Sequence, residues 1–135
     1  MKIIVIGLGN FGSAVAVKLA ALGHEVIGVD SIEQRVENIK DKVTYAITVD
    51  CTDATVIKTL PLHEADIVLV AIGEDIGASI LITALLKKYN VKRIVSRSIS
   101  PIHRTILEAI GVMEILNPEE DSADRFVTKV NIKNV

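Results

Sequence analysis

Near the start of the chain, Gly7-Leu8-Gly9-Asn10-Phe11-Gly12 places three glycines in the pattern GxGxxG. Alone that spacing is a weak signal; its surroundings make it specific. It follows the apolar run Lys2–Ile6, opens a segment of helical period, and is followed by an acidic residue, Asp30, at the end of the next β-rich run. The chemistry this suits is dinucleotide binding. Gly7 permits a tight turn, Gly9 lets backbone approach a pyrophosphate, and Gly12 lets helix and strand pack closely. The helix N-terminus then offers N–H groups and partial positive charge to phosphates. Asp30 is expected to accept hydrogen bonds from a ribose diol. It would repel a 2′-phosphate, and Ser31 supplies no compensating cation, so NADP is disfavoured. A glycine turn kept for packing alone is the blander alternative, and this context disfavours it.

More polar residues fall where β-rich runs end, the edge at which open α/β sheets bind ligands. Asp50-Cys51-Thr52-Asp53 is expected to flank an adenine or its ribose, or else Asp50 or Thr52 caps the next helix. Gly73-Glu74-Asp75 gives backbone access near a ligand. Arg97 either reaches a phosphate or closes an internal ion pair. Glu119 and Glu120 could equally be first-turn helix charges. Cys51 with Asp50, Asp53 and His63 matches no metal-ligand spacing and reads as a half-buried loop cysteine. His24, His63 and His103 lie far apart and read as surface residues. A Tyr-x-x-x-Lys pair is missing, since Tyr45 is followed four on by Val49 and Tyr89 by Arg93. All the strands go into the nucleotide site, which leaves no segment to hold a substrate for hydride transfer.

The elements that must position these residues are legible as periods. Strands are expected at Lys2–Ile6, Glu25–Val29, Thr44–Val49, Asp66–Ile72, Lys92–Arg97 and Val112–Leu116, several nearly all Val, Ile and Leu. Between them, Phe11–Leu22 carries Lys18 as its only charge. Ile32, Val36 and Ile39 form an apolar stripe opposite Glu33, Arg35, Glu37 and Lys40, and Ile102, Ile106 and Ile110 form another. Ser31 with Gln34 resembles a capping box, Gly23 a left-handed C′ residue, and Ser100-Pro101 and Asn117-Pro118 pair an N-cap with proline. Strict alternation predicts an α/β, Rossmann-like doubly wound parallel sheet, six strands in the order 3-2-1-4-5-6. From Asp121 a last helix turns amphipathic, with Phe126, Val127 and Val130 among Asp124, Arg125, Lys129 and Lys133. That stripe either covers its own sheet or meets another subunit.

Composition excludes other classes. The 135 residues, half of them hydrophobic, suit one domain spanning 1–135 that buries about two-thirds of its surface. A net charge of −2 without a basic run, two Tyr, two Phe and no Trp argue against nucleic acid. One cysteine fits a reducing cytoplasm. No apolar run approaches the roughly 18 residues a membrane span needs. Met1–Ile6 imitates a signal peptide faintly, but the run is too short and cleavage would remove a strand.

Val5–Gly12, Leu22-Gly23-His24-Glu25-Val26 and Val29-Asp30 together resemble the N-terminal nucleotide-binding domain of TrkA/KtrA potassium-uptake regulators, the RCK or KTN module. Asp50-Cys51-Thr52-Asp53 is similar to that family's Asp-Ala-Thr-Asp. Val70–Gly73 with Ala78-Ser79, and Leu107-Glu108 through Ile110-Gly111 to Asn117-Pro118-Glu119, extend the likeness to about Phe126. The resemblance implies a cytoplasmic regulatory subunit, not an enzyme. It would bind NAD(H) or ATP/ADP at the inner face of the membrane, as a homodimer and in a higher ring, beneath a potassium-translocating membrane subunit. By position, Gly7, Gly9, Gly12, Asp30, Asp50, Cys51, Thr52, Ile72, Gly73 and Arg97 match the family's nucleotide pocket, with Leu8, Asn10, Phe11, Ser31 and Ala71 beside them. Glu119 matches an acidic position near the subunit contact. Two departures stand out. Asn10 stands where ATP-responsive members often carry Arg, and the family's C-terminal effector domain is absent, which implies a piece of a longer chain or a free-standing form. The rival from another class is the dinucleotide-binding domain of an NAD-dependent oxidoreductase.

Overall fold

The computed structural model describes residues 1–133. Strands and helices alternate: β1 (Lys2–Ile6), α1 (Asn10–Ala21), β2 (Glu25–Asp30), α2 (Glu33–Ile39), β3 (Tyr45–Thr48), α3 (Ala54–Ile57), β4 (Ile67–Val70), α4 (Ile76–Lys88), β5 (Ile94–Arg97), α5 (Pro101–Ile110), β6 (Glu114–Leu116) and α6 (Pro118–Lys133). The strands form one sheet in the order β3-β2-β1-β4-β5-β6, and every pair is parallel. This is the expected Rossmann-like fold. The chain reverses its direction of travel across the sheet at β1, the switch point where such sheets bind ligands.

The two-residue period of β1 explains its unbroken apolar run. Ile3 and Val5 join Leu8, Ala16, Val36 and Ile39 on one face. Ile4 and Ile6 join Ile57, Leu60, Ile82 and Leu86 on the other. A strand covered on both sides has no solvent face to mark with polar residues. On α4 the buried residues Ser79, Ile82, Thr83 and Leu86 recur at helical spacing and lie over the sheet.

Much of the expected punctuation is present. Gly23, at φ +96°, ends α1 in a Schellman motif, with Gly23 N–H donating to Ala20 O (3.0 Å) and His24 N–H to Leu19 O (3.2 Å). Ser100 Oγ accepts from His103 N–H (3.1 Å) and Pro101 opens α5. The Ser31 capping box does not form. Asp30 Oδ1 takes the Ile32 N–H at 2.8 Å, and Ile32 becomes an N-cap with no side-chain bond. The fourth strand, expected from Asp66 to Ile72, is shorter, Ile67–Val70, with the Asp66 and Ala71 N–H groups still donating to Lys2 O (2.8 Å) and Ile6 O (2.7 Å) on β1. His103 is not a surface residue: it is fully buried between α4 and α5.

The last helix differs most from the other five. Its residues 119–132 are exposed throughout, Phe126 at 68% and Val127 at 63%. Of the two fates open to its apolar stripe, burial on its own sheet is therefore excluded. The accessible surface of 7780 Å² exceeds the ~7,000 Å² expected for a compact chain of this mass, in the sense a projecting helix requires.

Candidate functional site

The three glycines of the turn meet three different constraints. Gly7 has φ +99°, and a Cβ there would stand 2.8 Å from the Ile72 nitrogen. A Cβ on Gly12 would overlap the Gly7 carbonyl oxygen, so a hydrogen is the largest substituent that lets α1 cross the turn. Gly9 is different, because a Cβ there would have nothing within 4 Å. No packing contact demands glycine at this position. Gly9 is also the N-cap of α1 and offers no side-chain cap to the first-turn N–H groups.

Asp30, at the end of β2, is buried. Its Oδ2 accepts the Leu8 N–H (2.7 Å) and its Oδ1 the Ile32 N–H (2.8 Å), so the carboxylate ties the glycine turn to the start of α2. Arg35 Nη1 lies 3.4 Å from Asp30 Oδ2 and 2.6 Å from Glu74 Oε1. Arg35 belongs to the polar face of α2, as expected, but its half-buried side chain reaches Asp30, so a cation does stand beside this carboxylate although Ser31 supplies none. The ion pairing with Glu74 raises the Arg35 pKa further. The available signal was position, since Arg35 sits in the first turn of α2 directly after the ligand-side edge.

Two adjacent cavities on this edge flank the glycine turn. One, of about 270 Å³, is lined by Gly7, Asp30, Ser31, Asp50, Cys51, Thr52 and Ile72, with Ala78 and Ile82 behind them. The other, wider one of about 500 Å³ is lined by Gly9, Asn10, Phe11, Arg35, Ala71, Gly73, Arg97 and Glu119. Glu74 borders both. Leu8 and Gly12 line neither: the Leu8 side chain is in the core, and Gly12 is a packing residue.

Arg97 holds the far side of the wider cavity. Its guanidinium stacks over the Phe11 ring at 5.5 Å and pairs with Glu119 at the start of α6. A Cβ on Gly73 would stand 2.7 Å from this guanidinium, so glycine here makes room for arginine. The internal ion pair, one of the two readings open for Arg97, is thus formed within a cavity wall. Its Nε is buried without a partner.

Around the smaller cavity, Asp50 Oδ1 accepts from Thr52 N–H (2.9 Å) and Thr52 Oγ (2.6 Å), which shapes the loop. The cap of α3 is neither of these; Asp53 takes the Thr55 N–H at 2.9 Å. Cys51 is fully buried rather than half-buried. Burial, then the charges of Asp50 and Asp30, push its thiol up to about 12, so it stays protonated and unreactive. Among the described residues no group of three His, Cys, Asp or Glu is placed to hold a metal. No helix among them is long and apolar enough to cross a membrane. The site offers backbone donors, two arginines and an apolar-backed cavity, set among the carboxylates of Asp30, Asp50, Glu74, Asp75 and Glu119: groups able to hold the ribose and phosphates of a nucleotide.

Comparison with known proteins agrees in fold and in family. The chain is 39% identical to Ktr system potassium uptake protein C of Bacillus subtilis over 97% of its length, and spans 59% of that protein. It superposes with a TM-score of 0.83 and 25% identity on the NAD(P)-binding domain of an exopolyphosphatase-related protein from Archaeoglobus fulgidus, over 96% of both chains. The Kef C-terminal domain of Shewanella denitrificans in its AMP-bound form shares the fold at a TM-score of 0.83 and 20% identity, over 100% of this chain and 82% of that one. The family model for the TrkA-N domain matches residues 3–118, and the chain belongs to that family.

Proposed function

We propose that this domain is a nucleotide-sensing regulatory module of a potassium transport system rather than an enzyme. The adenosine of NAD(H) or of ATP/ADP occupies the smaller cavity beside Asp30, Ser31, Asp50, Cys51 and Thr52. The phosphates lie on the N-terminus of α1 at Gly9, Asn10 and Phe11, in the wider cavity that Ala71, Gly73, Arg97 and Glu119 complete. The domain works at the cytoplasmic face of the membrane as a homodimer through α6, and its ligand state reaches a potassium-translocating membrane subunit. The likeness to a potassium uptake protein along nearly the whole chain supports the transport role. The observation that carries the reading is Gly9, a glycine no packing contact requires, at the N-cap of a helix pointing into the crevice.

The same observation supplies the experiment. A Cβ at position 9 meets nothing within 4 Å, so Gly9→Val should still fold cooperatively, losing at most the ~1 kcal/mol by which valine is the poorer N-cap. Its added methyl groups would occupy the pyrophosphate position, so ADP and NADH binding by calorimetry should fall below detection. A folded Gly9→Val that binds both as wild type does would refute the site.

A further inference from the structure

Arg35 leaves the polar face of α2 and reaches over the end of β1. Asp30 closes β2 and Glu74 follows β4, and these strands flank β1 in the sheet. The contacts of Arg35 Nη1 with Glu74 (2.6 Å) and Asp30 (3.4 Å) therefore cross the crevice from one side to the other, above the strand that carries the glycine turn. The bridge stands where the two cavities meet. Glu74 borders both, while Arg35 lines the wider one with Gly9 and Asn10.

We propose that the Arg35–Glu74 ion pair is a strap opened by the phosphates of a bound nucleotide, Arg35 moving from Glu74 to a phosphate oxygen. It thereby makes the site selective for phosphorylated adenine nucleotides over the nucleoside. This rests on the nucleotide-binding reading above. A guanidinium fork pairs with phosphate as well as with carboxylate, and phosphate brings more charge. Glu74 is the partner that can be given up: its side chain is 56% exposed and its Oε2 keeps the Gly73 N–H (3.2 Å), so water takes the place of Arg35 at the freed Oε1 at little cost. Asp30 is fixed by the Leu8 and Ile32 N–H groups and stays. Until a ligand arrives, Glu74 presents a negative charge at the phosphate entrance and Arg35 neutralises it. A dinucleotide, whose two nucleosides need both cavities, must lift the strap to extend across the crevice.

The test is protein-observed NMR titration of the full chain with ADP and with adenosine, a readout that reaches millimolar binding. Arg35→Gln should weaken ADP about tenfold or more while shifting adenosine less than about twofold. Glu74→Gln removes the competitor and should tighten ADP by roughly threefold. Arg35→Lys should recover part of the loss, which a merely structural role in α2 would not separate by ligand. Unchanged ADP affinity in Arg35→Gln, equal losses for ADP and adenosine, or weaker ADP binding in Glu74→Gln would each overturn the strap while leaving the nucleotide site intact. A wild-type chain that binds neither ligand would overturn both.

Discussion

At the scale of single residues, the glycines of the GxGxxG pattern divide as their spacing predicts, Gly7 and Gly12 being constrained by packing and Gly9 not. Gly12 must be glycine for the fold, because a Cβ would meet the Gly7 carbonyl oxygen. Gly12→Ala should therefore cost at least about 1–3 kcal/mol, as overpacking does, read as a lower urea midpoint without ligand. The contrast with a smaller change in Gly9→Val makes the pair diagnostic; equal midpoints for the two variants would contradict this division. Asp30 straddles both roles. It lines the cavity, yet its oxygens already hold two backbone N–H groups, one of them on the buried Leu8. Asp30→Ala thus strands a donor worth about 1–3 kcal/mol, and a loss of ligand affinity in that variant reports the turn as well as the ribose contact.

Among the elements, α4 and α5 are joined by a polar contact that no apolar periodicity announces. His103 Nδ1 accepts the Ile99 N–H (3.1 Å), so the neutral ring carries its proton on Nε2 and donates it to Ser79 Oγ (3.0 Å). Protonating Nδ1 would set a donor against a donor, and burial already lowers the His103 pKa from 6.5. The unfolded chain then binds the extra proton more readily than the native one, so stability falls as pH drops through 6.5 towards the lowered native value. Urea unfolding from pH 8 to 5 should show this loss, and His103→Gln, less stable at pH 8, should flatten the slope over the same interval. An unchanged slope in that variant would assign the acid sensitivity to other groups. Element order and sheet topology were legible because short β-rich runs alternate with segments of helical period, and caps such as Ser100 and Gly23 act within a few residues. His103, Arg35 and the Gly73–Arg97 contact were not, because each depends on a partner twenty or more positions away that only the folded sheet brings near.

For the whole molecule, the informative feature is a helix that the body does not use. The other helices contribute buried residues to the domain, whereas α6 holds Phe126, Val127 and Val130 in solvent at 68, 63 and 43% exposure. Apolar groups on an isolated helix gain nothing from that position, and the proposed homodimer would cover this stripe. Its base is tied to the edge that carries the candidate site: Glu119, in the first turn of α6, pairs with Arg97, which lines the wider cavity. A ligand that draws Arg97 towards a phosphate loosens that pair and changes how α6 leaves the domain. If α6 is the dimer contact, the two ligand states then differ in dimer geometry or affinity, as coupling by unequal binding requires. Sedimentation velocity at tens of micromolar, with and without ADP, should give a wild-type dimer whose stability or shape responds to the nucleotide. Phe126→Asp places a charge in the stripe without touching the body, so it should sediment as a folded monomer while retaining ADP binding. Wild type that stays monomeric in both conditions would leave α6 without this role, and a dimeric Phe126→Asp would move the contact to another face.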